Sequence, residues 1–356
     1  MAKLEFKNSL QPWEKILSES VTTPDGLSAF SDIDNNDIRD VTSIYPMRIN
    51  SYYLGLIKNG GDAIRKQVIP DIREIMSSDG WTDPLNEEGF SPVPGLTHKY
   101  PDRVLLLVSS LCAVYCRFCN RKRKVGNPSM ATKETIREGI AYIRTQKKIR
   151  DVLLSGGDPL LLSDSSIFQI LGELRSIPHV EIIRIGTRIP CTLPQRVTPE
   201  LVGMLKGFHP LFINTHFNHP SEVTPQSSLA CSLIADAGIP IGCQTVLLKG
   251  INDDAKTIKE LMQKLLAIRV KPYYLFQPDL VKGTSHFWTP LKKGIEIMEY
   301  LQGNISGLAI PRFMIDLPHG GGKIPVTPEY ICGREGDELI IKNYKGEYYR
   351  YPIRSE

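Results

Sequence analysis

The sequence contains no run of about eighteen apolar residues, and its first fifteen residues lack the apolar stretch of a secretion signal. These absences argue against membrane insertion and export, so we expect a cytoplasmic protein. The excess of positive over negative charge is also small, since the net charge is +4 over 356 residues. So weak a charge does not favour nucleic acid or a membrane surface as a partner, and no internal repeat or low-complexity linker interrupts the chain.

Cysteine is infrequent and unevenly distributed. Of seven cysteines, three lie within eight positions, at Cys112, Cys116 and Cys119. An odd number with this clustering fits a reducing compartment and a metal or redox site better than a disulfide framework. The remaining four are expected to be ordinary core residues: Cys191, Cys231, Cys243 and Cys332.

Six short runs rich in Val, Ile, Leu and Tyr alternate with longer segments of helical period. The predicted strands are residues 103–110, 151–157, 181–187, 211–217, 241–248 and 272–279. Continuous apolar runs indicate strands buried on both faces. Strands that alternate with helices form a parallel sheet, either doubly wound or curled into a barrel. The first hundred residues have the pattern of a helical region, and residues 337–352 have that of a hairpin.

Polar side chains and glycines follow several predicted strands at their carboxyl ends. Parallel α/β folds bind their ligands at this edge of the sheet. These candidate site residues are Ser155, Gly156, Gly157, Asp158, His216, Asn218 and Asp279.

The three clustered cysteines offer soft ligands from one loop directly after a buried strand, which suits zinc or an iron-sulfur cluster. A closed site needs four ligands, and no fourth cysteine lies within reach of this loop in the sequence. A cubane cluster here would therefore leave one iron open to an exogenous ligand. We favour the cluster over a structural zinc or a chance grouping because spacing and position agree.

A second motif is the segment from Asp316 to Lys323, DLPHGGGK. Three glycines before a lysine let the backbone approach a ligand closely, and such a lysine can form a Schiff base with pyridoxal phosphate or hold a phosphate. The segment is not a Walker A loop, because no Ser or Thr follows the lysine. Taken alone, it is more often a flexible surface turn with a solvated lysine.

Together these motifs resemble the lysine 2,3-aminomutase family. The segment CAVYCRFC is similar to the radical S-adenosylmethionine signature. The resemblance runs in the family's order through HKYPDRVLLL, the cysteine loop, SGGDPL, RIGTRIP, NTHFNHP, QTVLLKGIND, PYYLFQPDL, HFWTPLKKGIEIM and the glycine-lysine segment. The resemblance implies a partial parallel (β/α)6 barrel of the radical SAM type. Its expected segments are a mainly helical region (1–97), the barrel core (98–290) and a C-terminal segment with the pyridoxal-phosphate lysine (291–356).

The resemblance also implies the reaction. L-lysine would become β-lysine through a 5′-deoxyadenosyl radical and a pyridoxal phosphate aldimine, with a 4Fe-4S cluster, S-adenosylmethionine (SAM) and pyridoxal 5′-phosphate as cofactors. An electron donor such as flavodoxin or ferredoxin and a homo-oligomer are expected. Arginine 2,3-aminomutase remains an alternative, as does the translation-factor-modifying type, which ranks lower because that group lacks an Asp matching Asp316.

Site residues carry over by position. The cluster would be held by Cys112, Cys116 and Cys119, and SAM by Ser155, Gly156, Gly157, Asp158, His216 and Gln244. Pyridoxal phosphate would be held by Lys323, Lys99, Tyr100 and Arg103. The substrate α-carboxylate would bind Arg121, and its distal ammonium Asp279 and Asp316. The neighbouring Lys122 and Lys124 are expected to belong to a solvated loop or a phosphate patch.

The two aspartates disfavour glutamate as the substrate, because an uncompensated buried charge costs roughly 3–5 kcal/mol.

Two positions depart from the family pattern. Asp254 stands where well-studied members have a zinc-binding cysteine, and no cysteine follows Cys332, so zinc is not expected and the oligomeric state is in doubt. His319 stands where the family more often has glycine. Its imidazole would either alter substrate fit or pack against the loop, and the sequence leaves both open.

Overall fold

A nine-stranded sheet whose strands follow chain order forms the centre of the computed structural model, which describes residues 11–27 and 34–353. Strands β2 to β8 are parallel, and β1 and β9 add antiparallel strands at the two edges. The strands are β1 (Leu96–Tyr100), β2 (Arg103–Ser109), β3 (Asp151–Gly156), β4 (Ile182–Gly186), β5 (Leu211–Thr215), β6 (Ile241–Val246), β7 (Lys271–Phe276), β8 (Arg312–Leu317) and β9 (Gly322–Pro325).

Helices connect the parallel strands and cover the outer face of the sheet. Several of them begin at a side chain that caps the first turn, such as Thr132, Ser163, Thr198 and Asp254. The crossover helices are α5 (Lys133–Thr145), α6 (Asp164–Arg175), α7 (Ile189–Thr192), α8 (Pro199–Lys206), α9 (Pro225–Asp236), α10 (Ala255–Ala267) and α11 (Leu291–Leu301). Their apolar faces and the strand residues form one continuous core.

The predicted partial barrel is confirmed, and all six predicted strands are present. The parallel part holds a seventh strand, β8, which the apolar pattern did not reveal. Its sequence RFMIDL begins with an exposed arginine and carries Asp316, so it does not have the continuous apolar character of a strand buried on both faces.

The N-terminal part of the chain is helical, as expected, and packs against the start of the barrel. Its helices are α1 (Pro12–Ser18), α2 (Asn35–Ile44), α3 (Ser51–Arg65) and α4 (Arg73–Met76). An isolated bridge joins Ile49 to Val114, and the Asn50 side chain donates to the carbonyls of Ala113 and Thr192. These contacts attach the N-terminal region to the cysteine loop.

The predicted C-terminal hairpin is present as β11 (Glu338–Lys342) and β12 (Tyr348–Pro352), and β10 (Ile331–Glu335) adds a third antiparallel strand. Cys332 lies on β10 and is exposed, so its prediction as a core residue was wrong, whereas Cys191, Cys231 and Cys243 are buried. Within the described ranges, no helix is long and apolar enough to cross a membrane.

Candidate active site

A cavity of about 870 Å³ lies at the carboxyl ends of the parallel strands and extends into the barrel. Every residue that the sequence analysis assigned to the cluster, a cofactor or the substrate lines this cavity. Residues that follow the parallel strands meet here because parallel strands deliver their carboxyl ends to one edge. The cavity also reaches Arg103, the first residue of β2, and residues of the antiparallel strands β1 and β9. The roles of these residues stay predictions, but their convergence in one cavity is an observation.

The cysteine loop follows β2 and is held from behind by the N-terminal region. The backbone N–H of Tyr115 donates to Arg48 O at 2.9 Å, and that of Arg117 donates to Gln67 O at 2.8 Å. Cys112, Cys116 and Cys119 are each partly exposed. Burial raises the pKa of Cys119 to about 11 and that of Cys112 well above its usual value, so both favour the neutral thiol unless a metal takes the proton's place.

Arg188 is a cavity residue that the sequence analysis did not single out. It is buried, and its Nη1 donates to Cys116 Sγ at 2.7 Å while its Nη2 donates to Gln67 Oε1 at 2.6 Å and Glu222 Oε1 at 2.7 Å. A guanidinium at this distance stabilises negative charge on the sulfur. The segment RIGTRIP, which contains Arg188, was quoted for the family resemblance and was the available signal.

A buried ion cluster lies behind the cysteine loop. Arg117 donates to Glu74 Oε1 at 2.9 Å and to Oε2 at 2.6 Å, and Lys122 Nζ donates to Glu74 Oε2 at 2.5 Å. Lys122 is buried, so its prediction as a solvated residue was wrong, and burial lowers its pKa to about 8. Lys124 is partly buried and pairs with Glu87 and Glu88 at 3.8 and 3.6 Å.

The loop SGGDPL closes against the start of the cysteine loop. Gly156 has a φ of +134°, and a Cβ at this position would lie 2.2 Å from Ser109 O, so no other residue fits. The backbone N–H groups of Gly157 and Asp158 donate to the carbonyls of Ser109 and Leu111, both at 2.6 Å. This loop therefore sets the position of the cysteine segment as well as lining the cavity.

Asp158 uses its carboxylate to connect neighbouring loops. It accepts from Thr187 Oγ1 at 2.6 Å and from the Arg188 backbone at 2.7 Å, and burial raises its pKa to about 6. These contacts indicate that Asp158 orders the strand-end loops around the expected SAM site. Ser155, by contrast, accepts with its Oγ a hydrogen bond from Arg121 Nη1 at 3.2 Å.

His216 and Gln244 lie on the wall beside the cysteine loop. His216 Nε2 lies 2.9 Å from Asn218 Oδ1, and its ring makes an edge contact with Phe118, with ring centroids 5.6 Å apart. Burial lowers the pKa of His216 to about 4, so the ring is neutral at physiological pH. Gln244 faces the same cavity from β6.

Lys323 lies on the short hairpin formed by β8 and β9, directly opposite Asp316. Its ammonium pairs with the Asp316 carboxylate, and its backbone N–H donates to the Tyr100 hydroxyl at 3.0 Å. Lys99 Nζ lies 3.5 Å from Asp316, and the Arg103 guanidinium lies 4.0 Å from the centre of the Tyr100 ring. The structure thus brings Lys323 together with the three residues predicted to hold the pyridoxal phosphate.

Asp279 and Asp316 form an acidic wall near Lys323. Asn120 Nδ2 donates to Asp279 Oδ2 at 3.1 Å. Burial first, and the charge of Asp316 second, raise the pKa of Asp279 to about 6. The side chain of Asp316 is only 4% exposed. Asp279 is therefore a carboxylate that lacks a full counter-ion, whereas Asp316 already pairs with two lysines.

Arg121 also lines the cavity and directly follows Asn120, whose amide contacts Asp279. Its guanidinium pairs with Glu87, another residue that the sequence analysis missed. Nε and Nη2 donate to Glu87 Oε1 at 2.9 and 2.6 Å. Glu87 is distant in sequence and its segment carries no recognisable motif, so no local pattern could have revealed this pair.

Both departures from the family pattern have a structural explanation. His319 is exposed, does not line the cavity, and packs its ring against Trp81 with centroids 4.7 Å apart. Packing is therefore the role that fits, and its φ of +57° explains why glycine suits this position. Asp254 caps α10 by accepting from the backbone of Lys256 and Thr257.

The cavity residues fit the groups that the motifs imply. In the part of the chain that the structure describes, no three His, Cys, Asp or Glu side chains converge on a point that would hold a single metal ion. In a cubane cluster each thiolate binds a different iron, so three cysteines around a volume, with Arg188 beside one of them, suit it better than a single zinc. The lysine, the two other cations and Tyr100 suit an aldehyde that carries a phosphate.

Comparisons with known proteins agree with this geometry. The Radical SAM superfamily model matches residues 106–264, and the model described as Lysine-2,3-aminomutase matches residues 298–355. L-lysine 2,3-aminomutase of Clostridium subterminale is 53% identical over 304 residues, which cover 84% of this chain and 73% of that protein.

Two further relatives cover more of the chain. L-lysine 2,3-aminomutase of Methanococcus maripaludis is 50% identical over 340 residues, or 93% of this chain and 78% of that protein. Glutamate 2,3-aminomutase of Clostridioides difficile is 44% identical over 337 residues, or 93% and 80%. Radical SAM membership implies a 4Fe-4S cluster and SAM. The chain belongs to the lysine 2,3-aminomutase family of radical SAM isomerases.

Proposed function

We propose that this chain is an L-lysine 2,3-aminomutase that forms β-lysine, and that it uses pyridoxal 5′-phosphate on Lys323 in addition to the cluster and SAM. The observation that carries the substrate assignment is the acidic wall, in which Asp279 has a raised pKa and a neutral amide as its polar contact. Such a carboxylate favours a substrate with a cationic side chain. The lysine 2,3-aminomutases among the relatives support the same assignment.

The cavity offers a guanidinium and two carboxylates to an amino acid with charges at both ends. Arg121 would bind the α-carboxylate, since a guanidinium pairs with a carboxylate through two donors. Asp279 and Asp316 would bind the distal ammonium. A glutamate side chain would instead bring a third carboxylate to this wall, and an uncompensated buried charge costs roughly 3–5 kcal/mol.

When bound, the cofactors supply a 5′-deoxyadenosyl radical and an aldehyde carbon that carries the migrating nitrogen. The chain's own residues bind and orient these groups. Cys112, Cys116 and Cys119 would ligate the cluster, while the neutral ring of His216 and the amide of Gln244 would face SAM together with Ser155, Gly156, Gly157 and Asp158. Lys99, Tyr100 and Arg103 would hold the phosphate near Lys323.

Asp316 holds the Lys323 ammonium in the absence of the aldehyde, and so keeps this amine next to the expected phosphate site. Asp316 would therefore be shared between the Lys323 ammonium and the distal ammonium of the substrate, whereas Asp279 would serve the substrate alone.

Further parts of the proposal concern the surroundings of the enzyme. We expect a reducing, cytoplasmic setting, an electron donor such as flavodoxin or ferredoxin, and a homo-oligomer without zinc. We also retain the division into residues 1–97, 98–290 and 291–356, although the central sheet continues past residue 290 through β8 and β9. Arginine 2,3-aminomutase is the alternative that the same acidic wall permits.

The test is an anaerobic assay of protein reconstituted with iron, sulfide, SAM, pyridoxal phosphate and a reductant. Lysine, arginine, ornithine and glutamate are offered separately, and products are identified by mass and chiral chromatography. β-Lysine from lysine supports the proposal. Formation of β-arginine but no β-lysine would show that the substrate is arginine. Deoxyadenosine without any β-amino acid would contradict the aminomutase assignment.

The role of Lys323 has a spectroscopic test. Lys323→Ala should lose the absorbance near about 420 nm that a lysine-bound pyridoxal gives, while it retains iron and sulfide. An unchanged spectrum would remove Lys323 from the cofactor site.

A further inference from the structure

Glu87 is a buried carboxylate in the cavity that has no role in the function proposed above. It is 7% exposed and comes from the segment 81–90, which precedes β1. Although burial opposes ionisation, the Arg121 guanidinium holds the pKa of Glu87 below its ordinary value, so the carboxylate is charged at neutral pH. A charged group in this setting requires an explanation, because buried carboxylates are rare unless they are paired for a purpose.

The contacts of Arg121 show which of its donors remain available. A guanidinium has five N–H groups. Glu87 accepts from Nε and from Nη2, and Ser155 Oγ accepts from Nη1 at 3.2 Å. One N–H on each Nη nitrogen remains, and Arg121 lines the cavity with a side chain that is only 12% exposed.

The segment that carries Glu87 is itself fixed at several points. The backbone N–H groups of Glu87 and Glu88 donate to the Asp83 carboxylate at 3.1 and 3.0 Å, and Asp83 pairs with Arg123 at 3.0 Å. The carbonyl of Pro84 accepts from the His319 backbone at 2.7 Å.

At its other end, the segment packs on the glycine-lysine loop. A Cβ at Gly320 would lie 2.3 Å from the Phe90 ring, so this loop and the segment are in close contact. The same short segment therefore touches both Arg121 and the loop that leads to Lys323.

We propose that Glu87 is a positioning residue of the substrate site, which fixes the Arg121 guanidinium so that its two remaining donors receive the α-carboxylate of the amino-acid substrate. This inference rests on the proposed function, because it assumes that Arg121 binds that carboxylate. Without Glu87, the long arginine side chain has several rotamers, and fewer of them present both donors to the cavity.

Glu88 provides the matched control. It is the next residue, has the same chemistry, and pairs with Arg123 and Lys124 of the same basic run, but its side chain is 67% exposed and does not line the cavity. Replacing either glutamate by glutamine removes one negative charge from the same segment. A difference in KM between the two variants therefore reflects the contact of Glu87 with Arg121 and not the loss of a charge from the segment.

The experiment uses reconstituted holoenzyme of the wild type and of Glu87→Gln, Glu87→Asp and Glu88→Gln. We measure kcat and KM for L-lysine and for L-lysinamide, which lacks the carboxylate, together with iron and pyridoxal content. We expect Glu87→Gln to raise the KM for lysine about tenfold with a smaller change in kcat, and the lysinamide to lysine KM ratio to fall. Glu87→Asp should recover part of the effect, and Glu88→Gln should stay within about twofold of the wild type.

Other outcomes overturn the inference. If Glu87→Gln leaves the KM unchanged or lowers it, Glu87 competes with the substrate for Arg121 or is irrelevant to it. If Glu87→Gln loses its cluster, Glu87→Asp carries the test, and an unchanged KM in that variant overturns the positioning role. A wild type that is active on lysine separates this failure from failure of the proposed function, in which the wild type itself forms no β-lysine.

Discussion

Two groups of charged residues contain buried carboxylates, one behind the cysteine loop and one on the cavity wall. They differ in whether the folded chain supplies the carboxylate with a cation. Behind the loop, Glu74 is fully enclosed and accepts from both Arg117 and Lys122. On the wall, Asp279 contacts only a neutral amide in the described hydrogen-bond network and has a raised pKa of about 6. The first carboxylate is satisfied within the folded chain, and the second lacks a cation that a substrate would bring.

The basic run RKRK contains residues of both groups. Lys122 points away from the cavity into the ion cluster with Glu74, whereas Arg121 points into the cavity and meets Glu87. Adjacent positions in a short loop face different sides, so a cation of the buried ion cluster and a cation that lines the cavity lie next to each other in sequence. Mutation of Glu74 should therefore lower the stability of the fold. Mutation of Asp279 should instead raise stability and weaken lysine binding.

The largest effect on stability is expected for Glu74→Gln. This change leaves two buried cations without their carboxylate, which typically costs about 3–5 kcal/mol. Chemical denaturation monitored by far-UV circular dichroism should show a large drop in the midpoint. Lys122→Met should cost less, because Arg117 and Glu74 stay paired. A denaturation midpoint for Glu74→Gln equal to that of the wild type would show that the buried ion cluster of Glu74, Arg117 and Lys122 does not stabilise the fold.

For Asp279→Asn we expect a gain in stability, in contrast to the loss expected for Glu74→Gln. The pKa of Asp279 is raised from 3.8 to about 6. The folded state therefore binds the proton more tightly, and stability falls as the pH rises from about 4 to about 6. Asparagine removes this cost, so the variant should gain on the order of 1–3 kcal/mol at pH 7. Its KM for lysine should nonetheless rise by about tenfold or more, because the ammonium loses a charged partner.

A variant of Asp279 that is less stable than the wild type and binds lysine normally would contradict this assignment. It would place Asp279 with Glu74 among the residues that only stabilise the fold.

A third, smaller effect concerns pH. Because a neutral Asp279 does not attract an ammonium, kcat/KM for lysine should fall as the pH decreases below about 6, by at most about tenfold per pH unit. The profile of Asp279→Asn should be flatter over this range. If the variant keeps the full decline, Asp158, whose pKa is also raised to about 6, is the group that titrates.

The smallest effect is expected for Lys124→Gln. Its ion pairs with Glu87 and Glu88 are long, at 3.8 and 3.6 Å, and Glu88 is exposed. Partly solvated pairs of this kind contribute about 0.5 kcal/mol or less. Denaturation midpoint and KM should both match those of the wild type within error. A large change in KM would mean that Lys124, as well as Arg121, contributes to carboxylate binding.

Much of the fold could be predicted because periodicity is a local property. Each of the six predicted strands is a short apolar run, and most crossover helices begin at a capping residue. The strand β8 was missed because Arg312 and Asp316 interrupt its apolar character, and Asp316 is there because it faces the cavity. The residue that obscured the strand is thus one that lines the candidate site.

The candidate site was predictable where its residues share a motif, as the cysteines and the glycine-lysine segment do. Glu74, Glu87 and Arg188 escaped prediction because their partners lie 43, 34 and 72 positions away in sequence. Lys122 was wrongly expected to be solvated, since a lysine in a basic run carries no mark of burial until its carboxylate partner is known. Long-range pairing is a property of the fold, and a single sequence does not display it.

The most direct test of the central claim, that the acidic wall selects a cationic substrate, is a competition assay with the reconstituted wild type. Equal concentrations of L-lysine and L-glutamate are incubated anaerobically with SAM, pyridoxal phosphate and a reductant, and both β-amino acids are quantified in the same sample. The predicted result is β-lysine with no detectable β-glutamate. Formation of β-glutamate in preference to β-lysine would contradict the assignment of Asp279 and Asp316 to the distal ammonium.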